Sequence, residues 1–499
     1  MKFSLLFKIP DDAVRSDIIY DLSLDRTVNA FAPDKRHADY FLDLLSKPLR
    51  STDNIAFRQQ IYCDFESNPQ LFDELKLLFT RYDRIKSDWH EMKLGSAPQG
   101  SSANPEALLE HTYSSLKITS MFPSTIANFF CSIGDTLSKY EIKSEGLCSI
   151  RDWCSEMRKN EALDEIVSIA QLFRYHSPEH YDFEMLVEID NTFRVINCGL
   201  TAITEHSQKK DKNAFIKLFK KKELQLGSVS ILQDGDSLEN DCSSDSIFLL
   251  CQSLSQIDQA LTRITNEIYE AFFGLSREMM FYETALACFE MVNDAGIPHC
   301  IPEMLRCEAD TLNAHELYDL HLCSIGKNKD SIVPNDIEIS ESDGGMLVKG
   351  ATDSGKTVFL RSVGSALIFA QAGLPVPCSD ACFSIRHAFF SHFSSAEEEF
   401  KPGSTAGRFE GEAQQIAEIV DSLVPYSFVM LNETFQTTSY GEGTEGICNI
   451  IRILPYIKTK YIFVTHLTGL FDIMKNDSVV LARTDTEKKY KVIPINKQQ

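Results

Sequence analysis

The chain has 499 residues and a formal net charge of −23, with an isoelectric point near 5.0. That length accommodates roughly two to four domains with filled cores. The acidity argues against a nucleic-acid binder coated in positive charge, which would gain affinity by counterion release, and leaves room for a local basic patch. Fourteen cysteines are scattered without a C-x-x-C pair; Cys378 and Cys382 lie close together but lack a Cys/His pair at zinc spacing. They read as reduced thiols of a cytosolic protein. The run Met1–Lys8 is too short for a signal peptide, and no apolar segment is long enough to span a bilayer, so no membrane partner is expected.

Residues 1–95 read as mostly helical. Asp53 is placed to cap a helix holding Ile55, Ile61 and Phe65, and Leu71, Leu75, Leu78 and Phe79 mark a second apolar face. The polar cluster Gly95–Ser102 interrupts the pattern. Residues 105–200 return to helix, with Leu163, Ile166, Val167, Ala170 and Phe173 at helical spacing. Residues 205–245 differ in kind: they hold β-prone pieces such as Val229–Leu232, an acidic loop Asp234–Ser237, and the lysines Lys209, Lys210, Lys212, Lys217, Lys220, Lys221 and Lys222.

Next, Leu250, Leu254, Ile257, Leu261, Ile264 and Ile268 are spaced 4, 3, 4, 3, 4, a heptad seam. No proline interrupts residues 246–297, so an unbroken helix there would reach on the order of 70 Å. Two readings stay open: an amphipathic helix buried in a bundle, or a rod-like helical pair. A helical stretch that leaves and returns places the irregular segment at the tip of a lever. The lysines there suit either contact with a phosphate backbone or an ordinary solvated face.

From about residue 331 strands alternate with helices, an α/β pattern. The strands are expected at Met346–Lys349, Ser427–Leu431 and Tyr461–Thr465, the helices at Lys356–Ala372, Gly411–Leu423 and Thr444–Ile457. Gly350-Ala351-Thr352-Asp353-Ser354-Gly355-Lys356-Thr357 fits G-x-x-x-x-G-K-[ST], the phosphate-cradling P-loop, between the first strand and the first helix. Backbone N–H groups and a helix N-terminus would hold the phosphates of ATP, Lys356 would reach the β- and γ-phosphates, and the Thr357 hydroxyl would ligate Mg²⁺. The strand Ser427–Leu431 ends in Asn432-Glu433, where a hydrolytic P-loop enzyme keeps its metal-side and water-orienting groups. The strand Tyr461–Thr465 ends in His466, placed to sense the γ-phosphate.

These residues resemble, in order, the ATPase domain of MutS-type mismatch-repair proteins, an ABC-class ATPase. Ser331-Ile332-Val333-Pro334-Asn335-Asp336 is similar to the segment leading into the first ATPase strand, and the resemblance puts Ile332, Val333 and Asn335 beside the adenine. Phe359–Gly364 and Ala370–Pro377 continue the match after the P-loop; Leu431–Ser439 resembles the Walker B strand with its threonine-rich loop, and Val464–Leu467 the histidine switch. Pro48–Arg50, Asp53–Gln60, Asn68–Leu71 and Phe281–Pro298 resemble parts of the MutS helical core.

The resemblance implies a multidomain chain, mainly an α-helical core and lever followed by an ABC-type α/β P-loop domain. Residues 1–105 would start the core, 106–204 carry the outgoing lever, 205–245 form a clamp-like tip, 246–325 return, and 326–499 form the ATPase domain. It further implies a homodimer that closes on DNA, located in the cytoplasm or on the nucleoid.

Three departures stand out. The chain starts almost directly with the core-like segment, so mispair recognition through a preceding domain is not implied. The family's Walker B aspartate is Asn432, which supplies no charge to a metal. The serine of the family's signature loop, set against the γ-phosphate in the partner's site, falls on Gly407 within Gly407–Glu412, where Arg408 is a cationic substitute. An alternative reading is an ATP-gated interaction module of MutS descent without DNA binding. The SMC- or transporter-type signature Leu-Ser-Gly-Gly is absent.

Overall fold

A computed structural model describes residues 2–95, 105–174, 181–189, 195–205, 244–394, 408–435 and 440–495. The helices are α1 (Leu24–Phe31), α2 (Lys35–Leu45), α3 (Thr52–Ser67), α4 (Pro69–Gly95), α5 (Pro105–Lys139), α6 (Glu145–Met157), α7 (Glu161–Arg174), α8 (Ser244–Tyr269), α9 (Leu275–Asp294), α10 (Leu320–Ser324), α11 (Lys356–Gln371), α12 (Arg408–Ser422), α13 (Tyr440–Ile453) and α14 (Thr468–Ile473). The strands are β1 (Tyr181–Ile189), β2 (Val195–Glu205), β3 (Glu303–Leu305), β4 (Leu312–Leu317), β5 (Asn335–Ile339), β6 (Gly345–Lys349), β7 (Asp380–Ser384), β8 (Ala388–Phe393), β9 (Ser427–Asn432), β10 (Lys460–Thr465), β11 (Val480–Thr484) and β12 (Val492–Pro494). The chain divides into two compact units. One comprises Met1–Phe3, Gln70–Glu141 and Cys148–Ser276, the other Ser4–Pro69, Ile142–Leu147 and Arg277–Gln499.

The first unit is a helical bundle with a hairpin. Leu250, Leu254 and Leu261 of the heptad seam are buried with Tyr113 and Leu116 of α5 and Phe173 of α7. The seam therefore closes a bundle rather than a two-helix rod. The continuous helix expected through 246–297 is broken: α8 stops at Tyr269 and α9 starts at Leu275, after Gly274 with φ +94°. That left-handed backbone suits glycine and ends a helix without any proline. Asp83 fixes the break, accepting from Gly274 N at 3.0 Å. Phe272, inside the break, is buried against Phe3, Phe79, Phe130 and Trp153, which offsets the lost helical turn.

Helix was also expected through residue 200, but it ends at Arg174. An antiparallel pair follows, β1 with β2, from Tyr181↔Glu205 to Ile189↔Val195. Lys209, Lys210, Lys212, Lys217, Lys220, Lys221 and Lys222, with Val229–Leu232 and Asp234–Ser237, lie outside the described residues.

The second unit combines helices with mixed sheets. Helix α3 is capped by Ser51, whose Oγ accepts from Asn54 N at 3.3 Å; Asp53, the expected cap, sits in its first turn. The buried Arg58 of α3 donates from Nε to Leu6 O at 2.8 Å and from Nη1 to Ala372 O at 3.2 Å. Gln371, the last residue of α11, donates to Leu49 O at 2.9 Å and to Arg386 O at 3.0 Å. At Gly373, with φ +79°, a Cβ would lie 2.5 Å from Arg58 Cβ, so only glycine fits this approach.

The six-stranded sheet runs β12-β11-β6-β10-β9-β8; its strands are parallel except for β12 at the edge. Val429 and Leu431 of β9 share a core cluster with Ile416 of α12 and Ile447 and Ile451 of α13. Met430 between them meets α11, where a Cβ on Gly364 would lie 2.6 Å from its Sδ. The period-2 alternation thus covers both faces of the sheet with helices, as a parallel sheet requires. The second sheet has order β3-β7-β4-β5. The three strands expected here, and their helices, agree with the observed ones to within a few residues; the last four residues of the third expected helix form a 3₁₀ turn, Leu454–Ile457.

Candidate nucleotide site

Strand β10 lies between β6 and β9, and its Val464 pairs with Val348 on one side and Asn432 on the other. The ends of three strands are therefore level. The Gly350–Thr357 loop, His466 and Asn432-Glu433 leave the sheet at one edge, although 75 to 114 residues separate some of them in sequence.

Close approach explains the two loop glycines. A Cβ at Gly350 would lie 2.2 Å from Thr484 Oγ1, and Gly355, the N-cap of α11, has φ +92°. Lys356 is 4% exposed, and its Nζ donates to Gly350 O and Ala351 O, each at 2.9 Å. The same ammonium lies 3.2 Å from Glu433 Oε1 and 3.2 Å from His466 Nε2. His466 Nε2 is 3.0 Å from Glu433 Oε1 and 3.5 Å from Thr352 Oγ1. Thr357 Oγ1 donates to Asn432 Oδ1 at 3.0 Å. The expected Lys356, Thr357, Asn432, Glu433 and His466 thus form one connected group.

A cavity of about 870 Å³ opens beside this group. Ile332, Val333 and Asn335 line it, as do Thr352–Val358, Glu433 and His466. Gly350 and Ala351 contribute carbonyls to Lys356 rather than cavity wall. Asn335 is committed to the fold: Nδ2 donates to Tyr490 O at 3.2 Å and Oδ1 accepts from Val492 N at 2.7 Å. Tyr490, missed in the sequence, also lines the cavity and packs over Gly355, where a Cβ would lie 3.1 Å from its ring. No motif points to Tyr490; only the hairpin β11–β12 brings it there. Arg408 opens α12, while its side chain and Gly407 lie outside the described residues.

The donor set fits a phosphorylated ligand with a divalent cation. Ser354 Oγ and Glu433 Oε2 are buried polar atoms without a hydrogen-bond partner beside the loop, a need that a phosphate and its water would satisfy. Among the described residues no group of three His, Cys, Asp or Glu side chains could hold a metal alone. Asn432, being neutral, supplies no charge to a cation beside Thr357.

Behind Glu433, the backbone is held from three directions. Glu433 has φ +58° and its N–H donates to Val464 O at 2.9 Å. Thr434 Oγ1 is 2.9 Å from His392 Nδ1 on β8. Glu412 of α12 accepts from Phe435 N at 2.9 Å and from Ser394 Oγ at 3.1 Å. Burial lowers the proton affinity of His392 below its ordinary value of 6.5, against the opposing Glu412, and burial does the same for His321 and His387. The unfolded chain then binds more protons than the folded one below that value, so stability rises with pH through this window. The expected result is full stability above about pH 6.5 and progressive loss as pH falls below it. Melting temperatures between pH 5.5 and 7.5 test this; a flat profile, or one that rises on acidification, contradicts it.

Residues 346–498 match the family model of MutS domain V. Relatives include the DNA mismatch repair protein MSH2 of Arabidopsis thaliana, 25% identical over 46% of this chain and 24% of that protein. MutS of Alkaliphilus metalliredigens is 29% identical over 32% of this chain and 19% of that protein, and human Msh3 is 30% identical over 30% and 13%. Residues 346–498 are MutS-like. The matched part spans a quarter or less of these relatives' own lengths. No described helix is long and apolar enough to cross a membrane.

Proposed function

We propose that this chain binds and hydrolyses ATP at the Gly350–Thr357 loop and uses the cycle to close on DNA. The observation that supports this most is the connected group Lys356, Thr357, Asn432, Glu433 and His466 beside the cavity. Lys356 would leave the Gly350 and Ala351 carbonyls for the β- and γ-phosphates, and loop N–H groups would hold the rest. Glu433 would take the proton of the attacking water on Oε2, with His466 steadying Oε1. Thr357 and Asn432 would hold Mg²⁺, which supplies charge neutralisation at the phosphates. Ile332, Val333 and Tyr490 offer apolar walls to a base.

The domain plan belongs to the same proposal: core start 1–105, outgoing lever 106–204, tip 205–245, return 246–325, and ABC-type ATPase 326–499. So does the homodimer, in which Arg408 of each signature segment would serve the other copy's phosphates. The relatives are named DNA mismatch repair proteins, and a DNA-repair substrate is the reading their names favour.

The −23 charge and the neutral Asn432 favour a second reading, an ATP-gated interaction module. A DNA titration at rising salt, with and without ATP, separates the two. Clamping at the tip predicts binding that weakens with salt and falls by at least about tenfold when Lys217, Lys220, Lys221 and Lys222 become Glu. Absence of binding at low salt to homoduplex, mismatched, branched and single-stranded DNA rejects the DNA part.

A further inference from the structure

The two sulfur atoms of Cys300 and Cys378 lie 3.5 Å apart, within the second unit and away from the nucleotide cavity. Their proximity is built by the backbone. The carbonyl of Val376 accepts from Cys300 N at 3.0 Å and from Cys378 N at 2.9 Å, so both residues hang from one oxygen. Val376 N returns a bond to Cys300 O at 2.9 Å, completing an antiparallel bridge. Pro377 O accepts from Tyr318 N at 2.9 Å, and Ser379 N donates to His315 O at 3.0 Å, so the Cys378 turn is held on both sides. Pro375 and Pro377 stiffen the same turn.

The two thiols have unequal surroundings. Cys378 is fully buried, whereas Cys300 is partly exposed. The Cys378 S–H holds the Cys300 thiol below its ordinary value, opposing burial and Asp380, with help from Ala381 N–H. Cys378 is pushed up by the same contact and by burial. A partly exposed thiol backed at 3.5 Å by a buried second thiol is the arrangement of a peroxide-reactive pair.

We propose that Cys300 and Cys378 form a reversible disulfide on exposure to a hydroperoxide. The Cys300 thiolate attacks the terminal oxygen of the hydroperoxide, and the O–O bond breaks. Cys300 becomes a sulfenic acid, and the alkoxide takes a proton and leaves as the alcohol. Cys378 Sγ then attacks the Cys300 sulfur, the S–O bond breaks, and hydroxide leaves as water with the Cys378 proton. Two thiols and one hydroperoxide give one disulfide, one alcohol and one water. Only a modest approach is needed to reach a bonded sulfur separation of about 2.05 Å. The bridge would join the turn after α11, the helix that begins at the P-loop, to the segment before β3.

The test treats the full chain with hydrogen peroxide under native conditions, blocks free thiols, and maps peptides without reduction. The expected result is a Cys300–Cys378 linked peptide, reversed by dithiothreitol. Cys300 should react about tenfold or more faster than the fully buried Cys288. In C378S, Cys300 should stop at the sulfenic acid and accept a dimedone label, and in C300S, Cys378 should stay reduced. Because the mapping is done on the unmodified protein, poor folding of a variant does not decide the matter. Both thiols remaining free while other cysteines oxidise, or Cys300 pairing elsewhere, overturns the proposal.

Discussion

If the chain hydrolyses ATP as proposed, replacing Glu433 by glutamine is expected to lower turnover by about 10²- to 10⁴-fold, the usual contribution of a positioned general base. The substitution keeps the side chain's length and the left-handed backbone at φ +58° equally accessible. It removes the ability of Oε2, the atom without a partner, to take a proton. Glutamine also removes a carboxylate 3.2 Å from the Lys356 ammonium, a negative charge that would repel the γ-phosphate. Nucleotide should therefore dissociate more slowly from E433Q while phosphate release stops. Lys356→Ala should lose both properties, since it deletes the cation that the phosphates would face. Steady-state phosphate release and dissociation of a fluorescent ATP analogue measure the two effects. Turnover surviving intact in both variants would sink the hydrolytic reading.

Asp310→Asn lowers the unfolding free energy by about 3 kcal/mol, the scale set by breaking a buried ion pair from one side. Arg386 has no exposed surface and Lys460 is 2% exposed, yet both carry charge against one carboxylate. Arg386 Nη1 lies 2.5 Å from Asp310 Oδ1, and Lys460 Nζ lies 3.2 Å from Oδ2. Burial lowers the proton affinity of both cations, and Asp310 opposes that. Arg386 Nε and Nη2 have no acceptor, so the guanidinium has no second support when the carboxylate is neutralised. Asparagine tolerates φ +45° at this position as aspartate does, which isolates the electrostatic term from backbone strain. Denaturant unfolding is the measurement; a loss below about 1 kcal/mol would show that the two cations find compensation elsewhere.

The candidate nucleotide site was legible in the sequence where its chemistry is local. A strand, a glycine loop, a lysine and a helix follow each other within residues 345–371, and the polar ends of β9 and β10 announce themselves after apolar runs. That β10 lies between β6 and β9 was not legible, because strand order depends on contacts no periodicity records. Tyr490 and the Asp310–Arg386–Lys460 group were missed for the same reason; the last spans 76 to 150 residues and leaves no pattern. The β1–β2 hairpin is a different case. Tyr181, Phe183, Met185, Val187 and Ile189 recur at period 2, broken only by the apolar Leu186, a signal overridden by the helical spacing just before it. The break at Gly274 also had a signal, a lone glycine in a helical run, which a heptad pattern on one side conceals.

The second unit is sewn together from distant stretches, Ser4–Pro69 with Arg277–Gln499, and this has a consequence for biosynthesis. At typical ribosomal speeds, the first stretch emerges roughly 20 to 90 s before the last strands that complete its sheet. During that wait Arg58 has no Ala372 carbonyl and Leu49 no Gln371 amide. The nascent chain should therefore carry Phe41, Ile55 and Phe65 exposed for most of its synthesis, and depend on chaperones more than a chain whose units are continuous.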